Sequence, residues 1–201
     1  MTTFDSVTLE VSDTAAATDF YRVTGLADHV TVRPAEGPST GFRGFAISLV
    51  VAQPGNVDAI VETAVAAGAT VLKPAVKSFW GYGGILQAPD GTILKIATSQ
   101  KKDTAPVTRE IDQVALLLGV ADVKASKRFY VEQGLPVGKS FGGKYVEFST
   151  ESPVTLALYP RRALAKDAGV PAEGSGSHRI VLGSDATLTD PDGFVWETTA
   201  A

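Results

Sequence analysis

The chain of 201 residues contains no cysteine and only two histidines, His29 and His178. The absence of cysteine excludes disulfide bonds, thiolate metal sites and a cysteine nucleophile. A Ser-His-Asp mechanism would need one of the two histidines as its base, and no Gly-x-Ser-x-Gly elbow accompanies them. His29 lies in an irregular stretch, where a solvent-facing loop histidine is the ordinary expectation. The sequence therefore gives no indication of nucleophilic catalysis.

Positive charge and long apolar runs are also scarce. The 18 lysines and arginines are outnumbered by 22 aspartates and glutamates, for a formal net charge of -4. Without a basic stripe that could neutralise phosphates, we expect no nucleic-acid partner. No stretch is apolar enough to span a bilayer, and the first residues lack the basic start and apolar run of a signal peptide. We therefore expect no membrane partner and a cytoplasmic location.

Apolar residues make up 44% of the chain, and they form a pattern that occurs twice. Each copy contains an alternating apolar strand that ends in Asp, then a helix that carries Phe-Tyr, then Gly-Leu. The copies lie at residues 7–26 and 114–135, and a Pro-Asp-Gly turn occurs late in each half, at residues 89–91 and 191–193. An internal repeat indicates one supersecondary unit that is used more than once.

A further helix and several short strands lie between the two copies. Residues 54–56, Pro-Gly-Asn, predict a turn, and the apolar stripe over residues 57–65 predicts an amphipathic helix that Gly68 closes. Short strands separated by turns follow up to Ile96, so the unit is β-α-β-β-β. Such a unit cannot bury both its helix and its sheet faces alone and must pack against a partner unit. A polar linker at residues 101–106 separates a first half, residues 1–100, from a second half, residues 107–201.

These motifs resemble the vicinal oxygen chelate superfamily, which includes glyoxalase I, extradiol dioxygenases and bleomycin-resistance proteins. The matching features are the paired units, Trp80-Gly81, Phe129-Tyr130 before Gly134-Leu135, and Asp190-Pro191-Asp192-Gly193 followed by Val195-Trp196-Glu197. The resemblance covers nearly the whole chain. It implies an α+β fold of tandem βαβββ-derived units with curved mixed sheets, and a small-molecule ligand in the concave face of a sheet.

Each half of the chain is shortened, but at a different place. The first half is short between Leu26 and the strand at Phe45, whereas the second half lacks the helix that residues 57–67 supply in the first. Complete units therefore lie in the middle, at about residues 41–99 and 109–162, between two reduced outer units. We predict that the complete units form the main curved sheet and that the reduced ends complete a second, smaller sheet.

The resemblance leaves two functions open, and one of them depends on a metal ion. Metal-using members hold the ion with His or Gln on a first strand, His at the start of a later strand and Glu on a last strand. At these places the first half offers Ser6, Phe45 and Lys95, and this set cannot hold a divalent cation. The second half offers a set that suits Zn, Ni, Mn or Fe(II), namely Gln113, His178 and Glu197.

A protein that used this second set would be a metal-dependent lyase or dioxygenase, with Glu197 as its catalytic residue. The strand at residues 154–159 has no Glu that could act as a fourth ligand. His178 is explained equally well as an ordinary histidine at the entry of the strand over residues 179–182.

The other function is binding without a cofactor, as in bleomycin-resistance proteins, which hold planar ligands by aromatic stacking. The candidate ligand-binding residues are Phe79, Trp80, Tyr82, Tyr145, Tyr159 and Arg161. Aromatic residues at strand spacing are more often explained by core packing. We favour this function, in which a small organic ligand occupies a curved-sheet cavity, over the metal-dependent one. Exposed sheet edges left by the reduced units favour a homodimer.

Overall fold

Fifteen strands and four helices make up the computed structural model, which describes residues 2–199. In chain order they are β1 (Ser6–Val11), α1 (Thr14–Val23), β2 (Thr31–Pro34), β3 (Ser39–Gly41), β4 (Phe45–Val50), α2 (Pro54–Ala66), β5 (Thr70–Ser78), β6 (Gly81–Gln87), β7 (Ile93–Thr98), β8 (Gln113–Val120), α3 (Val123–Glu132), β9 (Val137–Ser140), β10 (Val146–Phe148), β11 (Val154–Pro160), α4 (Arg161–Ala168), β12 (Gly174–Gly176), β13 (Ile180–Ser184), β14 (Leu188–Thr189) and β15 (Val195–Thr198). No helix in this range is long and apolar enough to cross a membrane.

The strands form two mixed sheets and one short ribbon. Eight strands make the large sheet, in the order β5-β6-β7-β4-β8-β11-β10-β9, and five make the small sheet, in the order β14-β15-β13-β1-β2. The ribbon pairs β12 with β3. The large sheet thus combines the two complete units and the small sheet collects the two reduced ends. This confirms the arrangement predicted from the spacing of the motifs.

Both sheets contain strands from each half of the sequence. In the large sheet β4 of the first half pairs with β8 of the second, and in the small sheet β1 pairs with β13, antiparallel in each case. The linker at residues 101–106 forms neither helix nor strand. The division of the chain into residues 1–100 and 107–201 stays a prediction, because neither half builds a sheet of its own.

The predicted helix caps are present, and one helix begins earlier than its sequence pattern indicates. The Asp13 carboxylate accepts a hydrogen bond from Ala16 N at 3.0 Å, and Asp122 accepts one from Lys124 N at 2.8 Å. The helix α2 begins at Pro54, within the residues predicted to form a turn. Proline fits the first helical position because its missing N–H would have no intrahelical partner there.

Two apolar clusters lie on opposite faces of the large sheet. On β4, Phe45, Ile47 and Leu49 belong to the main core, which the sheet shares with α2 and α3. The intervening Ala46 belongs to a second cluster on the other face, as the alternation of side chains along a strand requires. We call the face opposite α2 and α3 the concave face. Burial of apolar surface, at roughly 25 cal/mol per Å², is the main stabilising contribution on both faces.

The repeated Phe-Tyr and Pro-Asp-Gly motifs meet in the folded chain. The Tyr21 hydroxyl donates to Asp90 at 2.9 Å, and the Tyr130 hydroxyl donates to Asp190 at 2.5 Å. Both tyrosines are almost fully buried, and this burial raises the pKa of each phenol well above its usual value. The motifs that suggested the superfamily therefore have a structural role, since they hold a helix to a later turn in each half.

Candidate functional site

The helix α4 covers part of the concave face of the large sheet. It contacts β4, β8 and β11, and it packs on them through Leu164, Ala165 and Ala168. An ion pair between Lys95 of β7 and Asp167 of α4 adds a polar connection. The resemblance placed the ligand in the concave face, and the chain itself fills much of that space.

A cavity of about 330 Å³ remains beside α4. It lies between the β4, β6 and β7 region and the segment that follows α4, and we call it the α4 cavity. Its walls combine apolar and polar groups, from Gly41, Phe42, Arg43, Phe45, Gln87, Gly91, Thr92, Ile93, Val170, Pro171 and Glu173. A cavity of this size with a small number of converging polar groups is typical of a small-molecule site.

Arg43 is the half-buried cation of the α4 cavity. One of its nitrogens, Nη2, donates to the carbonyl of Asp90 at 2.5 Å. No carboxylate within residues 2–199 forms an ion pair with it. Burial lowers the pKa of the Arg43 guanidinium, Asp90 partly opposes this change, and Arg179 adds to it. The cavity therefore contains a desolvated positive charge with unused hydrogen-bond donors.

The turn between β6 and β7 explains why Asp90 does not neutralise Arg43. The Asp90 carboxylate accepts hydrogen bonds from Tyr21 Oη and from both the backbone N and the hydroxyl of Thr92. Gly91 follows with φ of +92°, and a Cβ at this position would lie 2.8 Å from Arg43 Nη2. Glycine at position 91 thus permits both the turn and the close approach of the guanidinium.

Arg161, predicted as a ligand-binding residue, connects two sides of the α4 cavity. Its Nε donates to the carbonyl of Ala172 at 3.0 Å and its Nη2 donates to the carbonyl of Phe42 at 2.7 Å. Its guanidinium also lies 5.2 Å from the centre of the Phe42 ring. These contacts connect the segment after α4 to the residues before β4, so Arg161 positions two sides of the cavity that it does not itself line.

The five aromatic residues predicted to bind ligand are not brought together, and the α4 cavity lies elsewhere. Phe79 and Trp80 form the tip of the β5–β6 hairpin, where 80% and 82% of their surfaces are exposed. Tyr82 lies on the helix side of the sheet and donates to Asp58 of α2. Tyr145 and Tyr159 pack against each other on the concave face, with ring centres 5.2 Å apart.

The predicted metal ligands Gln113, His178 and Glu197 do not form one site. Gln113 lies on the large sheet and its amide donates to Thr155 at 2.9 Å, whereas His178 and Glu197 line a pocket of about 400 Å³ on the small sheet. The resemblance suggested one site because it assigns each ligand by its place within a unit, and not by the sheet that the strand joins in this chain. The structure therefore does not bring these three predicted ligands together around one ion.

His178 is also not arranged as a metal ligand. Its Nδ1 lies 2.5 Å from the carbonyl oxygen of Arg43, and its Nε2 lies 3.1 Å from that of Asp192. A carbonyl oxygen can only accept, so a neutral ring donates to one of these two oxygens through its single N–H, and both ring nitrogens face backbone oxygens rather than a group of metal ligands. His178 therefore connects the residues before β4 to the last turn of the small sheet.

Glu197, predicted as the catalytic residue, is held by Arg33. The two Glu197 oxygens accept from Arg33 at 2.7 and 2.9 Å, and Glu10 accepts from the same guanidinium at 2.8 Å. These hydrogen bonds lower the pKa of Glu197 and raise that of Arg33. The positive charge that a metal would supply is thus already provided by the chain, and the donors present do not fit a divalent cation. Within residues 2–199 no group of three His, Cys, Asp or Glu side chains is placed to hold a metal ion.

His29 differs from the expected solvent-facing histidine. Its Nδ1 atom is buried and has no hydrogen-bond partner among the described residues, although the side chain as a whole is half-buried. It does not line the α4 cavity. His29 thus contributes no functional group to the candidate site.

Sequence reasoning missed the residues that line the α4 cavity, and Arg43 above all. Three separate segments supply them, at residues 41–45, 87–93 and 170–173. The Pro-Asp-Gly turn at residues 89–91 was recognised, but as a turn rather than as the support for an arginine. No local pattern relates Arg43 to that turn, because the contact depends on how β4 and β7 pair.

Comparison with known proteins connects this architecture to solved structures but not to related sequences. No protein-family model matches the sequence, and no curated protein matches it. Glyoxalase I from Zea mays is similar in structure, with a TM-score of 0.57, 14% identity, and coverage of 98% of this chain and 91% of that chain. A candidate dioxygenase from Bacillus subtilis is similar with a TM-score of 0.53 and 14% identity, over 90% of this chain and 69% of that chain.

These likenesses establish the fold. The chain has the vicinal oxygen chelate fold, with curved mixed sheets derived from βαβββ units. At 14% identity the likeness carries no information on activity, substrate or metal use. The functional argument therefore rests on the side chains of this protein.

Proposed function

We propose that this protein binds a small organic molecule in the α4 cavity by packing and polar contacts, without a catalytic metal. The observation that carries the proposal is the cavity itself, which combines apolar side chains with a half-buried arginine. The mode of action would resemble that of bleomycin-resistance proteins, which bind rather than transform their ligands. A cytoplasmic location, expected from the sequence, belongs to the same proposal.

The composition of the walls supports a mixed apolar and polar ligand. Phe42 and Ile93 are buried in the second apolar cluster, and Val170 packs against them from the segment after α4. Thr92 and Gln87 add hydrogen-bonding groups. Small-molecule sites commonly combine apolar surface, which supplies affinity, with a few polar groups, which orient the ligand.

The metal-dependent alternative receives no support from the donor set, because Gln113 is on another sheet and Arg33 already neutralises Glu197. We expect metal analysis of the purified protein to find no stoichiometric divalent ion. One equivalent of Zn, Ni, Mn or Fe that is lost in the His178→Ala variant, but kept in a His29→Ala variant, would contradict this proposal.

The binding proposal is tested by filling the cavity. Val170 is half-buried at the cavity wall, so Val170→Trp places a large ring in or over the ligand space. Neutral monocyclic aromatic fragments, screened by ligand-observed NMR, are expected to bind the wild type and to lose binding in Val170→Trp. The control is Val131→Trp, since Val131 is 47% exposed at the end of α3. Retained binding in a folded Val170→Trp variant would refute the α4 cavity as the site.

A further inference from the structure

We infer that the α4 cavity selects small carboxylates, with the ligand's charge held by Arg43 and its apolar body held by Phe42, Ile93 and Val170. This inference rests on the proposed function and names its ligand class. It concerns an arginine that the sequence patterns did not single out.

The first argument is the number of unused donors on Arg43. A guanidinium carries five N–H donors in a planar fork, and among residues 2–199 only the bond from Nη2 to the Asp90 carbonyl engages them. A carboxylate matches this fork with two parallel hydrogen bonds, which are shorter and stronger than those between neutral groups. The free edge of Arg43 therefore favours a carboxylate over a neutral oxygen.

The second argument is a comparison with Arg33, an arginine of the same protein that lines the pocket on the small sheet. Arg33 is neutralised, because its guanidinium makes four hydrogen bonds, two to Glu10 and one to each oxygen of Glu197. Arg43 has no such partner in the described chain, although it is the more deeply buried of the two. The nearby charge of Asp90 offsets the desolvation of Arg43 only in part. A partly desolvated cation is costly, and an anionic ligand would reduce the cost that remains.

The third argument is the electrostatic environment of the cavity. The carboxylate of Asp90 is turned toward Tyr21 and Thr92, so it does not occupy the free edge of Arg43. The charge of Arg179 lowers the pKa of the Arg43 guanidinium. Arg179 therefore adds positive potential in the same region. Glu173 also lines the cavity, but it is exposed and makes no ion pair with Arg43.

The shape of the cavity limits the rest of the ligand. Its volume of about 330 Å³ lies near the lower end of the usual range for small-molecule sites. The apolar walls would pack against a single ring or a short branched chain. A monocyclic aromatic acid combines the required size, apolar body and single negative charge, and benzoate is the simplest probe of this kind.

The test compares benzoate with its neutral isostere benzamide by isothermal titration calorimetry. We expect the wild type to bind benzoate at least about tenfold more tightly, a preference equivalent to about 1.4 kcal/mol. Arg43→Gln should remove that preference, whereas Arg43→Lys should retain part of it. Arg162→Gln, which alters an exposed arginine of α4 outside the cavity, should behave like the wild type.

The outcomes separate this inference from the proposed function. Equal binding of benzoate and benzamide, both abolished by Val170→Trp, would overturn the selection of carboxylates and leave the binding site in place. A benzoate preference that survives in folded Arg43→Gln would also overturn it. If Arg43→Gln does not fold, the preference in the wild type and its weakening in Arg43→Lys decide the question. Failure of the wild type to bind benzoate at millimolar concentration would refute the inference outright.

Discussion

At the scale of single residues, the same side chain has different roles according to its neighbours. Arg33 is neutralised by Glu10 and Glu197 and stabilises the small sheet, whereas Arg43 faces a cavity without a carboxylate partner in the described chain. The tyrosines of the repeated motif are likewise structural, because each donates to an aspartate in a later turn. Function at this site therefore depends on which polar groups the fold leaves unsatisfied.

The ion pairs of Arg33 predict a pH-dependent loss of stability. Arg33→Gln is expected to lower the free energy of unfolding at pH 7 by about 1 kcal/mol, a modest value because Arg33 and Glu197 are 38% and 42% exposed. The folded-state pKa of Glu197 is depressed, so its contribution is complete above the unfolded value of about 4.3 and is lost as the pH falls through the folded pKa. Urea unfolding at pH 7 and pH 3 should show the difference between variant and wild type shrinking in acid. The control is Arg22→Gln, which removes an exposed ion pair. If Arg33→Gln lowered the free energy of unfolding equally at pH 7 and pH 3, the stabilising role of the ion pair with Glu197 would be contradicted.

The hydroxyl groups of the two buried tyrosines predict a matched pair of effects. Tyr130→Phe should destabilise the protein by about 1–2 kcal/mol, because it removes a buried donor to the Asp190 carboxylate. Tyr21→Phe should cost less, since Asp90 also accepts from the Thr92 hydroxyl on the same oxygen. Chemical denaturation measures both changes in the free energy of unfolding, which are comparable if the m-values are unchanged. Tyr82→Phe, which alters a largely exposed contact with Asp58, should change stability by less than about 0.5 kcal/mol, and the reverse ranking would refute the structural role of the repeated motif.

At the scale of elements, α4 decides what the concave face can do. It packs its apolar side on β4, β8 and β11 and leaves the α4 cavity at its margin. Polar contacts from two strands fasten it, through Lys95 to Asp167 and through Lys73 to the carbonyl of Lys166. The helix and the segment after it form a wall of the α4 cavity, so we expect the local stability of α4 to affect access to the proposed binding site.

The ion pair between Lys95 and Asp167 predicts a local effect without a global one. Asp167→Asn should change the free energy of unfolding by less than about 0.5 kcal/mol, because both side chains are partly exposed. Amide hydrogen exchange in residues 161–173 should nevertheless increase by about threefold, since this helix opens without unfolding the sheet. The strand β8 should exchange as in the wild type. Asp19→Asn is the matched control, and unaltered exchange in α4 would show that the pair does not fasten it.

At the scale of the whole molecule, unequal loss from the two halves determines the architecture. The two complete units join through β4 and β8 into an eight-stranded sheet, and the remnants combine into a five-stranded one. Sheet edges remain at β5 and β9. The tip of the β5–β6 hairpin carries the largest exposed aromatic pair among residues 2–199, Phe79 and Trp80, with Lys101 over the Phe79 ring.

The homodimer expected from the sequence stays a prediction, and the exposed tip of the β5–β6 hairpin is where we expect its interface. We expect the protein to be dimeric in size-exclusion chromatography with light scattering, through contacts of the Phe79 and Trp80 tip. Trp80→Lys should yield a folded monomer, because Trp80 is 82% exposed and its replacement leaves the core intact. Phe141→Lys, at an exposed site beside the opposite edge, should remain dimeric. A monomeric wild type at high concentration would contradict the prediction.

The sequence by itself determined the repeated strands and helices and their grouping into two sheets, while the tertiary structure alone decided the place of α4 and the candidate site. Alternating strands, Asp caps and unequal motif spacings are local or arithmetic properties of the chain, and they predicted the two sheets correctly. The fate of Glu197 depended on Arg33, which lies 164 positions away, and the α4 cavity depended on three segments that only packing unites. Contacts between residues so distant in sequence follow from sheet pairing and helix packing. For this reason the resemblance implied a metal set that the fold separates, and the residue patterns gave no sign of Arg43.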